Sequence, residues 1–120
     1  DPNRGIRNLN YVYIIDSDIL SDDLHKINMD ANKNYANLEL DFRFNDINDP
    51  NQFYYRSDHY HFVKNNIPAI FYFSGVHEDY HQPTDTAEKI LYDVYKKRVQ
   101  LIFHTAWDLA NRDERIRLKN

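Results

Sequence analysis

Apolar and polar positions alternate along this chain in blocks that change period several times. Tyr11-Val12-Tyr13-Ile14-Ile15 is a short, unbroken apolar run of β-prone residues and predicts a buried strand. Ser21 then offers a side-chain cap, with Asp22 and Asp23 in the first turn, where a helix dipole favours negative charge. Leu24, Ile27 and Ala31 follow at helical spacing, so a helix is expected over roughly residues 22–33. Residues 38–44 alternate strictly between apolar and charged, the pattern of a half-buried strand near a sheet edge.

Residues 45–52, rich in Asn, Asp and Pro, read as a loop. Ser57 is placed to cap a short helix over 58–65. Pro68 ends that segment, and Ala69-Ile70-Phe71-Tyr72-Phe73 predicts a strand buried on both faces. Residues 75–84 form a polar loop with two histidines. Asp85-Thr86-Ala87-Glu88 has the spacing of a capping box, with Asp in the capping position. The long helix after it carries Leu91, Val94, Tyr95, Ile102, Phe103, Ala106 and Leu109 on its expected buried stripe. Residues 1–10 read as a polar turn, and the tail from Asn111 is charged. The order β-α-β-α-β-loop-α points to the α/β class with a parallel or mixed sheet.

Composition narrows the chemistry. The 120 residues carry a formal charge of −4, so no basic footprint points to nucleic acid. No stretch approaches the roughly 20 apolar residues of a membrane span. There are no cysteines, which excludes disulfides and thiolate metal sites. Two glycines cannot build a Gly-rich phosphate loop. Asp1-Pro2-Asn3-Arg4-Gly5 reads as an internal loop, and three strands make a small sheet. Both suggest part of a larger domain, whose exposed apolar surface would favour self-association.

Histidine is the residue to follow, and there are six. His25 and His104 fall within expected helices, where structural roles are the rule. His59 and His61 diverge around a helix and cannot share a metal. His77 and His81 lie in the loop after a buried strand, the end of a strand where α/β sheets gather ligands. Their spacing outside a helix is by itself a weak metal signal.

A wider pattern surrounds them. Arg56-Ser57-Asp58-His59, Phe62, Ile67-Pro68-Ala69, the apolar strand, Gly75, Tyr80-His81 and Asp85-Thr86 occur in one order. That order and spacing resembles the C-terminal signature of the M28 zinc metallopeptidases, over about residues 50–110. The resemblance implies a three-layer αβα sandwich with a mixed sheet, of which this chain is the C-terminal half. It implies an aminopeptidase that releases N-terminal residues from peptides, with two zinc ions held by His, Asp, Glu, Asp and His. A further Glu would be the general base.

In that alignment His81 takes the place of the last zinc ligand. Tyr80 takes that of a tyrosine which hydrogen-bonds the developing oxyanion. Asp85 is a candidate to orient the ligand histidine from behind. Asp58 matches the aspartate of the family's S-D-H element, and equally suits the first turn of a helix. Arg56 could meet a substrate carboxylate or pair with a structural acid.

Ile27-Asn28-Met29-Asp30 superficially resembles another ligand motif of that family. It is rejected because Asp30 falls inside the helix begun at Ser21. The remaining ligands are therefore expected upstream of Asp1, and the isolated chain is expected to be inactive. Export from the cell is expected only by analogy with bacterial members. A glutaminyl cyclase of the same fold, or a non-catalytic interaction domain, would carry much of the same pattern.

Overall fold

The computed structural model describes Asp1 and residues 9–120; the turn-like reading of residues 1–10 falls mostly outside that range. The strands β1 (Tyr11–Ile15), β2 (Glu39–Asp41) and β3 (Phe71–Phe73) form one sheet in the order β2-β1-β3. β1 runs parallel to β2, with Tyr11 opposite Glu39. It runs antiparallel to β3, with Tyr13 opposite Phe73. The sheet is therefore mixed, and the α/β class stands as expected.

β1 is the centre of the molecule, and all five of its residues are buried. Its even positions, Val12 and Ile14, pack with Ala31, Leu38 and Leu101 under the long helices. Its odd positions, Tyr11, Tyr13 and Ile15, pack on the opposite face with Phe53, Tyr54, Val63 and Phe73. The period-2 pleat thus divides one strand between two apolar clusters.

α1 (Asp22–Ala31) begins where expected, and the hydroxyl of Ser21 accepts the Leu24 N–H at 3.2 Å. It ends in a wider π-helical turn, Asn32–Ala36, closed by Asn37 in a left-handed conformation. Asn28 of α1 is fully buried, and its side-chain oxygen accepts from the Tyr72 hydroxyl at 2.6 Å and from Thr105 at 3.3 Å. One amide thereby ties α1 to β3 and to α3 (Tyr92–Asn111). Asp30 lies on the exposed side of α1, paired with Lys26 one turn back, as its helical placement required.

Several boundaries differ from expectation. The strand over 38–44 pairs only at Glu39–Asp41, because Asp41 turns back to accept the Arg43 N–H at 3.0 Å. Ser57 does not cap the short helix. α2 runs from His59 to Val63 with Asp58 in the capping position, and no side-chain capping bond forms. The strand over 69–73 pairs only at Phe71–Phe73, where Phe71 and Tyr72 are half-buried. As an edge strand, β3 lacks the two-sided cover that its apolar run predicts.

The largest shift concerns the last helix. Asp85 caps nothing: residues Ala87–Lys89 form a single 3-10 turn, and α3 starts only at Tyr92. Its buried residues are Val94, Leu101 and Thr105. Of the expected stripe only Val94 is buried, and Leu91, Tyr95, Ile102 and Phe103 are exposed. No described helix is long and apolar enough to cross a membrane.

Candidate active site

The loop of residues 74–86 leaves the end of β3. Because β3 runs against β1, this loop sits where β1 and β2 begin, and not at their carboxyl ends. Tyr11 fastens it there, its hydroxyl donating to the Ser74 carbonyl at 2.6 Å. Gly75 takes a φ of +100°, a conformation that side chains rarely adopt, and the Asp1 side chain fills the space a Cβ would need. That turn sends the chain into a tight bend in which the Tyr80 N–H reaches the His77 carbonyl at 3.0 Å.

Tyr80 and His81 emerge from this bend together. The Tyr80 ring is half-buried against the odd-face aromatic cluster. His81 is exposed at a φ of +56°. Its ring lies on that of Tyr80, with centroids 4.1 Å apart and planes 13° from parallel. The two neighbouring rings thus lie face to face, and the Tyr80 ring covers one face of the imidazole.

Arg56 completes the group. Its guanidinium lies 4.8 Å from the centre of the Phe53 ring and 5.9 Å from that of Tyr80. One of its nitrogens donates to the Asn51 carbonyl at 3.3 Å. The guanidinium thus packs on aromatic faces, a cation–π arrangement that Lys would reproduce poorly. It pairs with no acid among the described residues.

Asp85 falls on another side of the loop. It lines a cleft of about 320 Å³ with His77, Asp79, Lys89, Tyr95 and Arg98. Asp79 receives Lys89 at 3.0 Å, and hydrogen bonding from Thr84 and Lys89 holds its carboxyl below the ordinary range. Asp58 stands apart as well, exposed at the start of α2, with its carbonyl accepting the His61 N–H at 3.1 Å. Arg56, Tyr80 and His81 therefore form one stack, while Asp85 and Asp58 occupy separate places.

One buried pair was missed by reasoning from sequence. His59 Nε2 lies 2.7 Å from Asp16 Oδ2 in the interior. Neither carboxylate oxygen and neither ring nitrogen has an aligned hydrogen-bond partner. Asp16 takes a φ of +75°, and its N–H is held by Asn45 Oδ1 at 2.8 Å. Its negative charge, after burial itself, helps push the Tyr54 hydroxyl above its usual range. The available signal was an aspartate placed directly after an uninterrupted apolar strand.

Zinc needs about three protein donors in a catalytic site. Among the described residues no cluster of three or more His, Asp or Glu side chains gathers closely enough to hold a metal ion. His81 can offer one exposed imidazole, but the described residues do not themselves make a zinc site.

A model of peptidase family M28 matches residues 6–106. No curated protein matches the chain, and no solved structure does.

Proposed function

Because the chain belongs to peptidase family M28, we propose that it supplies the C-terminal side of the active site of a zinc-dependent aminopeptidase. The peptidase class rests on the family match. The observation that carries the finer reading is the Tyr80–His81 stack, which presents an exposed imidazole beside a phenol on one backed aromatic platform.

In this reading His81 is one zinc ligand, and the others come from residues outside this sequence. Bound zinc would supply a Lewis acid and an activated water for attack on the scissile carbonyl. The chain's own groups then have distinct tasks. The Tyr80 hydroxyl donates a hydrogen bond to the oxyanion as charge develops, an interaction that strengthens toward the transition state. Arg56 holds the Tyr80 ring from the side of Phe53 and limits its swing. The stacking contact with Tyr80 backs the His81 imidazole on one face. The 120-residue chain alone is inactive, since a single histidine cannot retain the metal.

The test is an assay of the protein with its upstream residues included, on peptides with free and with blocked N-termini. Release of N-terminal residues from the free peptides, abolished by chelator and restored by zinc, is expected. Cyclisation of N-terminal Gln in place of hydrolysis would move the reading to a cyclase. No chelator-sensitive reaction at all would sink it in favour of a non-catalytic domain.

A further inference from the structure

Tyr80 and His81 are the two central residues of a tight turn. The Gln82 N–H closes it by donating to the Asp79 carbonyl at 2.9 Å, with Asp79 in the first position, one that favours Asp. Within that turn His81 holds a φ of +56°. Such a conformation costs any residue with a Cβ, and it persists only where the surroundings enforce it. Among the described residues, the groups that enforce it lie at the ends of the turn.

Those groups meet at Asp79. Its N–H donates to His77 Nδ1 at 3.3 Å, and its carbonyl closes the turn. Its carboxylate, with 14% of the side-chain surface exposed, accepts Lys89 Nζ on both oxygens at 3.0 Å. The Thr84 hydroxyl lies beside it as a further donor. Thr84 stands just beyond the turn, and Lys89 ends the 3-10 turn Ala87–Lys89. The carboxylate therefore spans from the first residue of the turn to the chain that follows it.

Lys89 is anchored in its own right. Its N–H donates to the Thr86 carbonyl at 3.1 Å. The hydroxyl of Tyr92, the first residue of α3, donates to the Ala87 carbonyl at 3.1 Å. A line of hydrogen bonds thus runs from the start of α3 to the residue before Tyr80.

We propose that Asp79 and Lys89 form a latch that holds the Tyr80–His81 turn in shape, and that both are positioning residues for the reaction proposed above. The inference rests on that reading of the site. An isolated exposed ion pair contributes little to stability. This pair differs because the lysine bridges both carboxylate oxygens and closes a ring of backbone around a strained residue. Its loss is therefore felt less in overall stability than in the aim of the two side chains. An imidazole that wanders holds metal less well. A phenol that wanders lowers kcat and leaves KM in place, because its hydrogen bond strengthens only toward the transition state.

The test uses the protein with its upstream residues included, as wild type, Asp79→Asn, Lys89→Met, the two combined, and Lys89→Arg. Asp79→Asn and Lys89→Met are each expected to weaken zinc retention and to lower kcat by about 10–100-fold, with KM and the thermal midpoint nearly unchanged. The combined variant is expected to be no worse than either, since both substitutions open one latch. Lys89→Arg keeps a cation able to bridge both oxygens and is expected to stay close to wild type. In the chelated, metal-free protein, amide exchange of residues 77–86 is expected to quicken in Asp79→Asn and Lys89→Met while α1 stays protected. Unchanged zinc retention and kcat, losses that multiply in the combined variant, or unchanged exchange in that loop would each overturn the latch. So would a fall in the thermal midpoint large enough to account for the lost turnover, which would make the pair a structural contact only. A wild type with neither zinc nor turnover would instead count against the reading of the site, and exchange in the metal-free loop would still decide the latch.

Discussion

Asp16 and His59 meet at 2.7 Å in the interior, with 0% and 6% of their side-chain surfaces exposed. Removing one member of this contact leaves the polar atoms of the other buried with no neighbour to offset their lost hydration, at a cost of about 1–3 kcal/mol. Asp16 adds a backbone cost of its own, since its φ of +75° disfavours any residue with a Cβ. Asp16→Gly and Asp16→Ala both lose the pair, but only glycine relieves the backbone. Urea unfolding should find both variants destabilised and Asp16→Gly the more stable of the two by about 1 kcal/mol. Equal stability of the two would show that the left-handed conformation carries no strain.

Tyr72 gives a prediction in pH. Burial pushes its hydroxyl up to about 12, and hydrogen bonding with Thr105 offsets this only in part. The unfolded phenol ionises near 10. Below that value the contribution of Tyr72 is fully present. Above it the unfolded state gains by losing its proton while the folded state cannot follow until about 12. Stability should therefore fall by about 2–3 kcal/mol as the pH rises through this window. In Tyr72→Phe that portion of the alkaline loss should disappear. The same variant should cost about 1 kcal/mol at neutral pH, where Asn28 Oδ1 loses its 2.6 Å donor.

Gly75 controls the loop that bears Tyr80 and His81. Gly75→Ala forces a Cβ into a φ of +100° and against the Asp1 side chain. A loss of about 1–3 kcal/mol is expected. Hydrogen exchange should show faster opening of residues 75–84 while α1 stays protected. Unchanged exchange in that loop would mean that the turn does not position the two rings.

The elements that could be read from sequence are those whose signals are local. β1 is an unbroken apolar run, and Ser21 with its two following aspartates marks the start of α1 within one residue. Elements set by tertiary context were harder to see. Asp85-Thr86-Ala87-Glu88 has capping-box spacing, yet the chain makes one 3-10 turn there and α3 starts at Tyr92. The apolar stripe of α3 was visible, but periodicity does not say what a stripe packs against. Val94, Leu101 and Thr105 are buried, Leu101 in one cluster with Val12 and Ile14 of β1 and Thr105 against Asn28 of α1, and most of the larger apolar residues face outward.

The candidate site shows the same division. Tyr80, His81 and Arg56 could be named from the motif, and the structure gathers them into one stack. The Asp16–His59 contact joins residues far apart in sequence; an aspartate directly after the apolar run of β1 was its local sign, and nothing local names His59 as its partner.

The most direct test of the account is zinc content measured together with turnover, on the protein with its upstream residues, for the wild type and two variants. The wild type should hold zinc. His81→Ala should lose metal and turnover together, while Tyr80→Phe should keep its metal and lose about 10²–10³-fold in kcat, as expected for removal of one oxyanion donor. Full zinc and undiminished turnover in His81→Ala would contradict the assignment of this loop to the active site.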